Sequence, residues 1–226
     1  MTVPSLSFRL AVGTLTFATL LSAPATAADP EPAKVIETFH ATLLQVMKEA
    51  GTLGYEGRYR ALAPAIGKAF HLRSMSRTVA GRRNWKRFST AEKNEFASAF
   101  SDLVAATYAH RFDGYSGQSF RVLETASLRP DTVLVKTRVD GTQQTRPGRR
   151  NTKLNYLVRR FDGGWRAIDI YLKGSISEVA TKRSEYASIL RKRGVGELVK
   201  EIRKKVAFLR AEASRAPAPP KENHDS

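Results

Sequence analysis

Among the residues whose type could support chemistry, Asp169 comes first. It lies within Trp165-Arg166-Ala167-Ile168-Asp169-Ile170-Tyr171, a strand-like run in which a carboxylate facing a cavity would act as a general base with a raised pKa. Strict alternation also puts Asp169 on the face of Trp165 and Tyr171. There, pairing with Arg159 or Arg160 would make it structural, and that is the stronger reading. The histidines His40, His71, His110 and His224 are scattered, without i, i+4 pairing or a flanking acid at ligand spacing, so no metal site is expected. With no cysteine in the chain, a thiol nucleophile, a disulfide and a zinc–cysteine site are all excluded. The sequence contains no G-x-S-x-G elbow, no P-loop and no G-x-G-x-x-G, and Gly163-Gly164 is explained by a hairpin turn. Neither a catalytic constellation nor a cofactor is expected.

Charge is the next signal. The 226-residue chain carries a formal charge of +17, concentrated in Arg82-Arg83 with Lys86-Arg87, in Arg146 to Arg150, and in a C-terminal helix bearing Lys200, Arg203, Lys204 and Lys205. Each cluster suits a solvated face. If several shared one side of the fold, each residue near an anionic membrane would add about 1 kcal/mol of attraction, enough in sum for reversible docking. Nucleic acid is not an expected partner, because no known binding module is present and the chain begins with an export signal.

That signal consists of Arg9, the apolar run from Leu10 to Leu21, and small residues ending in Ala25-Thr26-Ala27. The run is shorter than the roughly 20 residues a membrane-spanning helix needs, so residues 1–27 read as a cleaved secretory signal peptide with an A-x-A site. The expected location is the bacterial periplasm. About 199 residues then remain, one ordinary domain with enough chain for a core.

The elements that must position any site follow from periodicity. Val35, Ile36, Phe39, Leu43, Val46 and Met47 recur at helical spacing up to Gly51, and a second helix is predicted from about Gly57 to Phe70. Leu72, Met75 and Val79 share a helical face before Gly81. Ser89-Thr90-Ala91-Glu92 reads as a capping box opening a helix whose face holds Phe96, Phe100, Leu103, Val104 and Thr107. From Gly117 the period becomes two, through Phe120 and Val122, then Val133 to Val139, Leu154 to Val158, and Trp165 to Leu172. Ser175-Ile176-Ser177-Glu178 reads as a second capping box before a helix that stops at Gly194, and Leu198, Ile202, Val206 and Leu209 form the stripe of a last helix. Residues 211–226 are rich in Pro, Ala and charge, and read as a disordered tail. Helices, antiparallel strands and helices again give an α+β domain, with helices on one face of a curved sheet.

These segments bring a family into view. Between about Val35 and Leu209 the chain resembles the MlaC-type lipid-binding (toluene-tolerance) proteins of Gram-negative ABC transport systems. The resemblance rests on Phe70, Leu72, Met75 and Arg77, on Gly81 leading to Trp85, on Thr107-Tyr108-Ala109, Tyr115 and Gly117, on Tyr156, and on Trp165-Arg166, Ile168-Asp169, Leu172, Gly174 and Ser177. Gly54, Gly57-Arg58-Tyr59, the run Tyr108 to Gly117, and Ile176 to Glu185 resemble more narrowly the hopanoid-associated branch, HpnM. The loop Gly141 to Asn151 is more basic than that branch suggests, and Val195-Gly196 interrupts the start of the last helix.

The resemblance implies a nuclear-transport-factor-like sheet with helices packed over it, enclosing an apolar cavity in a lipid-binding domain at residues 28–210. It implies a carrier and not an enzyme: a protein that shields the tails of a phospholipid or hopanoid between the inner and outer membranes and exchanges them with an inner-membrane complex of MCE or RND type. The lipid-binding residues expected are Phe70, Leu72, Met75, Phe100, Val104, Tyr108 and Phe112 from helices, with Tyr156, Val158, Ile168, Ile170 and Leu172 from strands. An enzyme using Asp169 on the same scaffold, or a basic tether of envelope components without a pocket, are the alternatives.

Overall fold

Pro32 opens the first helix, where a residue without a backbone donor loses nothing because the first-turn N–H groups are unpaired anyway. In the computed structural model, which describes residues 31–141 and 151–215, this helix, α1 (Pro32–Lys48), buries Ile36, Phe39, Leu43, Val46 and Met47 along one stripe. It ends short of Gly51. Helix α2 (Ala50–Ala69) begins almost at once and is longer than periodicity suggested, because Gly54, at φ +55°, kinks the chain without ending it. His71 caps α3 (Leu72–Ala80), its Nδ1 accepting the Ser74 N–H at 3.1 Å. Gly81, at φ +79°, turns the chain into the short α4 (Arg82–Arg87). The expected capping box opens α5 (Thr90–Arg111): Glu92 N–H donates to Ser89 Oγ at 3.1 Å, and Ser89 N–H donates to the Glu92 carboxylate at 2.7 Å.

The strands β1 (Ser119–Arg129), β2 (Thr132–Asp140), β3 (Thr152–Phe161), β4 (Gly164–Leu172) and β5 (Ile176–Ser177) pair antiparallel in sequence order, so the sheet is an open meander. Register sets which side chains share a face. Val133, Val158 and Ala167 form one cross-strand row, Val135, Tyr156 and Ile170 the next, and Thr137, Leu154 and Leu172 a third. Members of these rows join the helical residues in one continuous core. The architecture is a mixed helix and antiparallel sheet fold whose sheet does not close into a barrel.

Two helices complete the domain, α6 (Glu178–Lys192) and α7 (Gly194–Arg215), separated by Arg193, with Gly194 at φ +81° turning the chain into α7. The cap of α6 is Ser177, whose Oγ accepts the Ala180 N–H at 2.9 Å, and not Ser175 as the capping-box pattern suggested. Residues 176–177 pair with β4, which holds the chain extended until Ser177. Helix α7 takes in Val195-Gly196 and continues to Arg215, so the expected break and the expected onset of the tail at 211 are both corrected. It can do so because Leu198, Val199, Ile202 and Leu209 bury a stripe along most of its length. Residues 1–27, expected to be a signal peptide, residues 142–150 and the expected tail after 215 lie outside the described residues. Among the described residues, no helix is long and apolar enough to cross a membrane.

Candidate functional site

Strand β4 decides what the sheet presents. Val158 lies opposite Ala167 while Leu157 lies opposite Asp169, so Ile168 is an extra residue at a bulge. The bulge inverts the alternation along β4, with Ala167 on the core side before it and Ile170 and Leu172 on the core side after it. Ile168 therefore does not share a face with Ile170 and Leu172, and Asp169 does not share one with Trp165. Asp169 is only 8 % exposed. Its Oδ1 accepts the N–H groups of Ile170 (2.7 Å) and Val179 (3.2 Å), and its Oδ2 accepts the Ser177 hydroxyl (2.6 Å). Asp169 is thus structural, but through the start of α6 and not through Arg159 or Arg160. Arg159 instead approaches Asp131 at 3.9 Å. Both carboxylate oxygens hold the α6 cap against β4, which removes the acid a catalytic reading depended on.

Inside this frame lies a cavity of about 550 Å³, enclosed by α3, α5, β3, β4, α6 and α7. Met75, Phe100, Leu103, Val104, Phe112, Leu154, Ile170, Leu172, Val179, Ile202 and Leu209 give it apolar walls. The charged side chains on its lining, Arg111 and Glu178 among them, are all exposed or half-buried. Lys182 pairs with Glu185 at 2.6 Å and His110 with Glu212 at 3.1 Å, while Glu201 and Lys205 extend the rim along α7. Burial pushes the Tyr186 hydroxyl, also on the wall, well above the ordinary tyrosine range.

Beneath the cavity sits a small polar layer. Tyr108 fronts the cavity with its ring, which leaves the residue half-buried by surface, but its hydroxyl is in the interior and hydrogen-bonds Tyr156. The Tyr156 hydroxyl also meets His40 Nε2 at 3.0 Å. Burial drives the Tyr108 and Tyr156 hydroxyls upward and holds His40 down to about 4 from an ordinary 6.5. The trio is therefore neutral at physiological pH and can underlie an apolar site without placing a charge in it.

Of the expected lipid-binding residues, Met75, Phe100, Val104, Tyr108, Phe112, Ile170 and Leu172 line the cavity. Phe70, Leu72, Tyr156, Val158 and Ile168 do not. Phe70 is a layer deeper, edge-on to Phe39 at 5.1 Å and behind Tyr108 at 6.3 Å. Tyr156 lies under Tyr108, Val158 sits further along the sheet opposite Ala167, Leu72 starts α3 one turn before Met75, and Ile168 is on the bulge. Sequence reasoning assigned no site role to Leu103, Leu154, Val179, Tyr186, Ile202 or Leu209. Their signal was the amphipathic stripes of α5, α6 and α7 and, for Leu154, the alternation of β3, which look alike whether they face a core or a cavity. The remaining histidines also have local roles: His71 caps α3 and stacks on Phe161 at 4.0 Å, His110 pairs with Glu212, and His224 lies outside the described residues.

Residues 37–204 match the sequence pattern of the MlaC protein family over most of the chain. The chain belongs to the MlaC family. Its fold is shared with a phospholipid-binding protein from Ralstonia solanacearum, whose structure contains a bound phospholipid. The two superpose with a TM-score of 0.67 at 20% identity, covering 80% of this chain and 99% of that one. In this MlaC family member the match spans α1 to the middle of α7 and takes in the whole cavity lining except Lys205, Leu209 and Glu212.

Proposed function

We propose that this protein is a periplasmic lipid carrier, exported by residues 1–27, which encloses lipid tails in the cavity while the headgroup stays at the charged rim. The observation that carries this reading is a cavity of about 550 Å³ walled by mostly buried apolar side chains, on which every charged lining residue is exposed or half-buried. Small-ligand sites have volumes of roughly 300–1,000 Å³ and mostly apolar linings. Exposing a tail of about sixteen carbons to water costs ~13 kcal/mol at ~0.8 kcal/mol per CH₂, so unaided crossing of an aqueous compartment is prohibitive. A carrier between the inner and outer membranes removes that barrier with walls and a mouth alone.

Phospholipid is the cargo class favoured by the bound phospholipid of the Ralstonia solanacearum protein. The HpnM-like motifs support a hopanoid instead, yet the structure gives several of those residues work away from the cavity. Gly54 kinks α2, and a Cβ on Gly57 would lie 2.9 Å from that of Leu53. Arg58 donates to the carbonyls of Ala109 (2.9 Å) and Ala50 (3.1 Å), tying α2 to the end of α5. The motif at Gly54 to Tyr59 therefore describes scaffold, whereas Tyr108 and Phe112 of the second motif and Val179, Lys182 and Glu185 of the third line the cavity, and it is the bound phospholipid of the Ralstonia solanacearum protein that makes phospholipid the better-supported ligand. An inner-membrane complex of MCE type is the corresponding partner, and one of RND type would go with a hopanoid.

The test is to purify the mature protein from its native envelope without detergent, extract it with organic solvent and identify the lipid by mass spectrometry. Near-stoichiometric phospholipid is expected. A hopanoid at that level would keep the carrier and change the cargo, and no lipid above a similarly basic control would contradict the carrier reading.

A further inference from the structure

A second concavity, of about 680 Å³, lies between the α3–α4 turn and the α6–α7 junction. It takes its charge from two segments about a hundred residues apart. Arg82, Arg83 and Arg87 come from α4, and Arg183, Arg191 and Lys192 from α6. None of the six forms an ion pair with another described residue. Glu92 is the one carboxylate lining the groove, and it is committed to the Ser89 cap. The turn that builds the groove is fitted to its cations. Gly81, at φ +79°, has no Cβ, and the guanidinium of Arg183 lies in the space above it, 3.5 Å from where a Cβ would be. Six exposed like charges around one concavity give it a strongly positive potential, which an anion seated there would relieve.

Composition narrows the anion. Five of the six cations are arginines, whose planar forks match phosphate oxygens two at a time, as a lysine cannot. Helix α4 buries none of its residues, and the half-buried Trp85 and Phe88, with rings 6.3 Å apart, flank its arginines. A basic turn with aromatic rings at its base has the chemistry of a segment lying at a headgroup layer.

We propose that this groove is a second, polar site that takes phosphate groups of an anionic membrane surface and docks the protein there. The inference is independent of what the apolar cavity holds, since the two concavities use different residues of α6.

The experiment measures binding of the full mature protein to phosphatidylcholine vesicles with and without phosphatidylglycerol, over a range of salt. Wild-type protein should bind only the anionic vesicles, and less as salt rises. Arg83 and Arg191 are exposed, so R83E/R191E should fold normally and bind at least about tenfold more weakly, whereas R129E/K68E, with the same charge change away from the groove, should lose less than about twofold. The milder pair R82Q/K192Q should show a smaller loss in the same direction. Equal losses in the two charge-reversed variants would overturn the site in favour of net charge alone. Tighter capture of inorganic pyrophosphate or oligoglutamate than of vesicles would overturn the membrane as its occupant.

Discussion

The cavity and the groove have similar volumes, about 550 and 680 Å³, and share α6 as a wall, yet their chemistry is opposite. Val179 and Tyr186 of α6 face the cavity, where the walls are apolar and the polar layer of His40, Tyr108 and Tyr156 is neutral. Arg183 and Arg191 face the groove, where cations are left without carboxylate partners. One attraction is non-directional and insensitive to salt, and the other is directional and screened by it. The contrast shows how a single helix can carry two recognition surfaces, provided one anchor fixes its position. Here the anchor is Asp169 with Ser177.

The sharpest way to separate the two is to fill one of them. Val104→Trp should occupy volume otherwise available to a tail. Losing contact with about five methylenes, at ~0.8 kcal/mol each, weakens lipid binding on the order of a thousandfold. Vesicle docking through the groove should not change. Lipid retained per protein, measured by mass spectrometry, reads the first effect, and vesicle sedimentation the second.

Breaking the shared anchor should harm both. Asp169→Ala leaves the Ile170 and Val179 N–H groups and the Ser177 hydroxyl without their acceptor, and urea unfolding should show a loss of about 4 kcal/mol. A loss confined to one of the two surfaces would contradict the role given to α6.

Acid should act on the cavity side through His40. His40 has a folded-state value of about 4 against 6.5 when free, so the unfolded chain binds a proton that the folded chain refuses between those values. Stability from this group is complete above pH 6.5 and falls by about 3 kcal/mol as pH drops to 4, below which it is level. His40→Gln should remove that slope, read as the difference between variant and wild-type unfolding free energies over this range. Smallest is Ser177→Ala, which removes both the α6 cap and the hydroxyl donated to Asp169 and should cost about 2 kcal/mol in the same urea assay.

Much of this architecture is legible in the sequence, and the exceptions have physical causes. The Ser89–Glu92 box, the apolar stripes of α1 and α5, and the change to a two-residue period gave the α+β order, because caps and periodicity are local. The cavity was half legible. Met75, Phe100 and Ile170 lie where the stripes predict, but a bulge at Ile168 is invisible to alternation and moved the β4 residues between faces. The groove was the least legible part. Arg82-Arg83 and Arg191-Lys192 read as separate solvated clusters, and only the packing of α3 against α6 makes them neighbours.

The most direct test of the central claim is photo-crosslinking of the purified protein with a phospholipid carrying a diazirine at the end of one tail, followed by peptide mapping. Crosslinks should fall on Phe100, Leu103, Ile170 and Ile202, deep in the cavity. Crosslinks on α4, or scattered over the outer surface, would contradict enclosure of the tail.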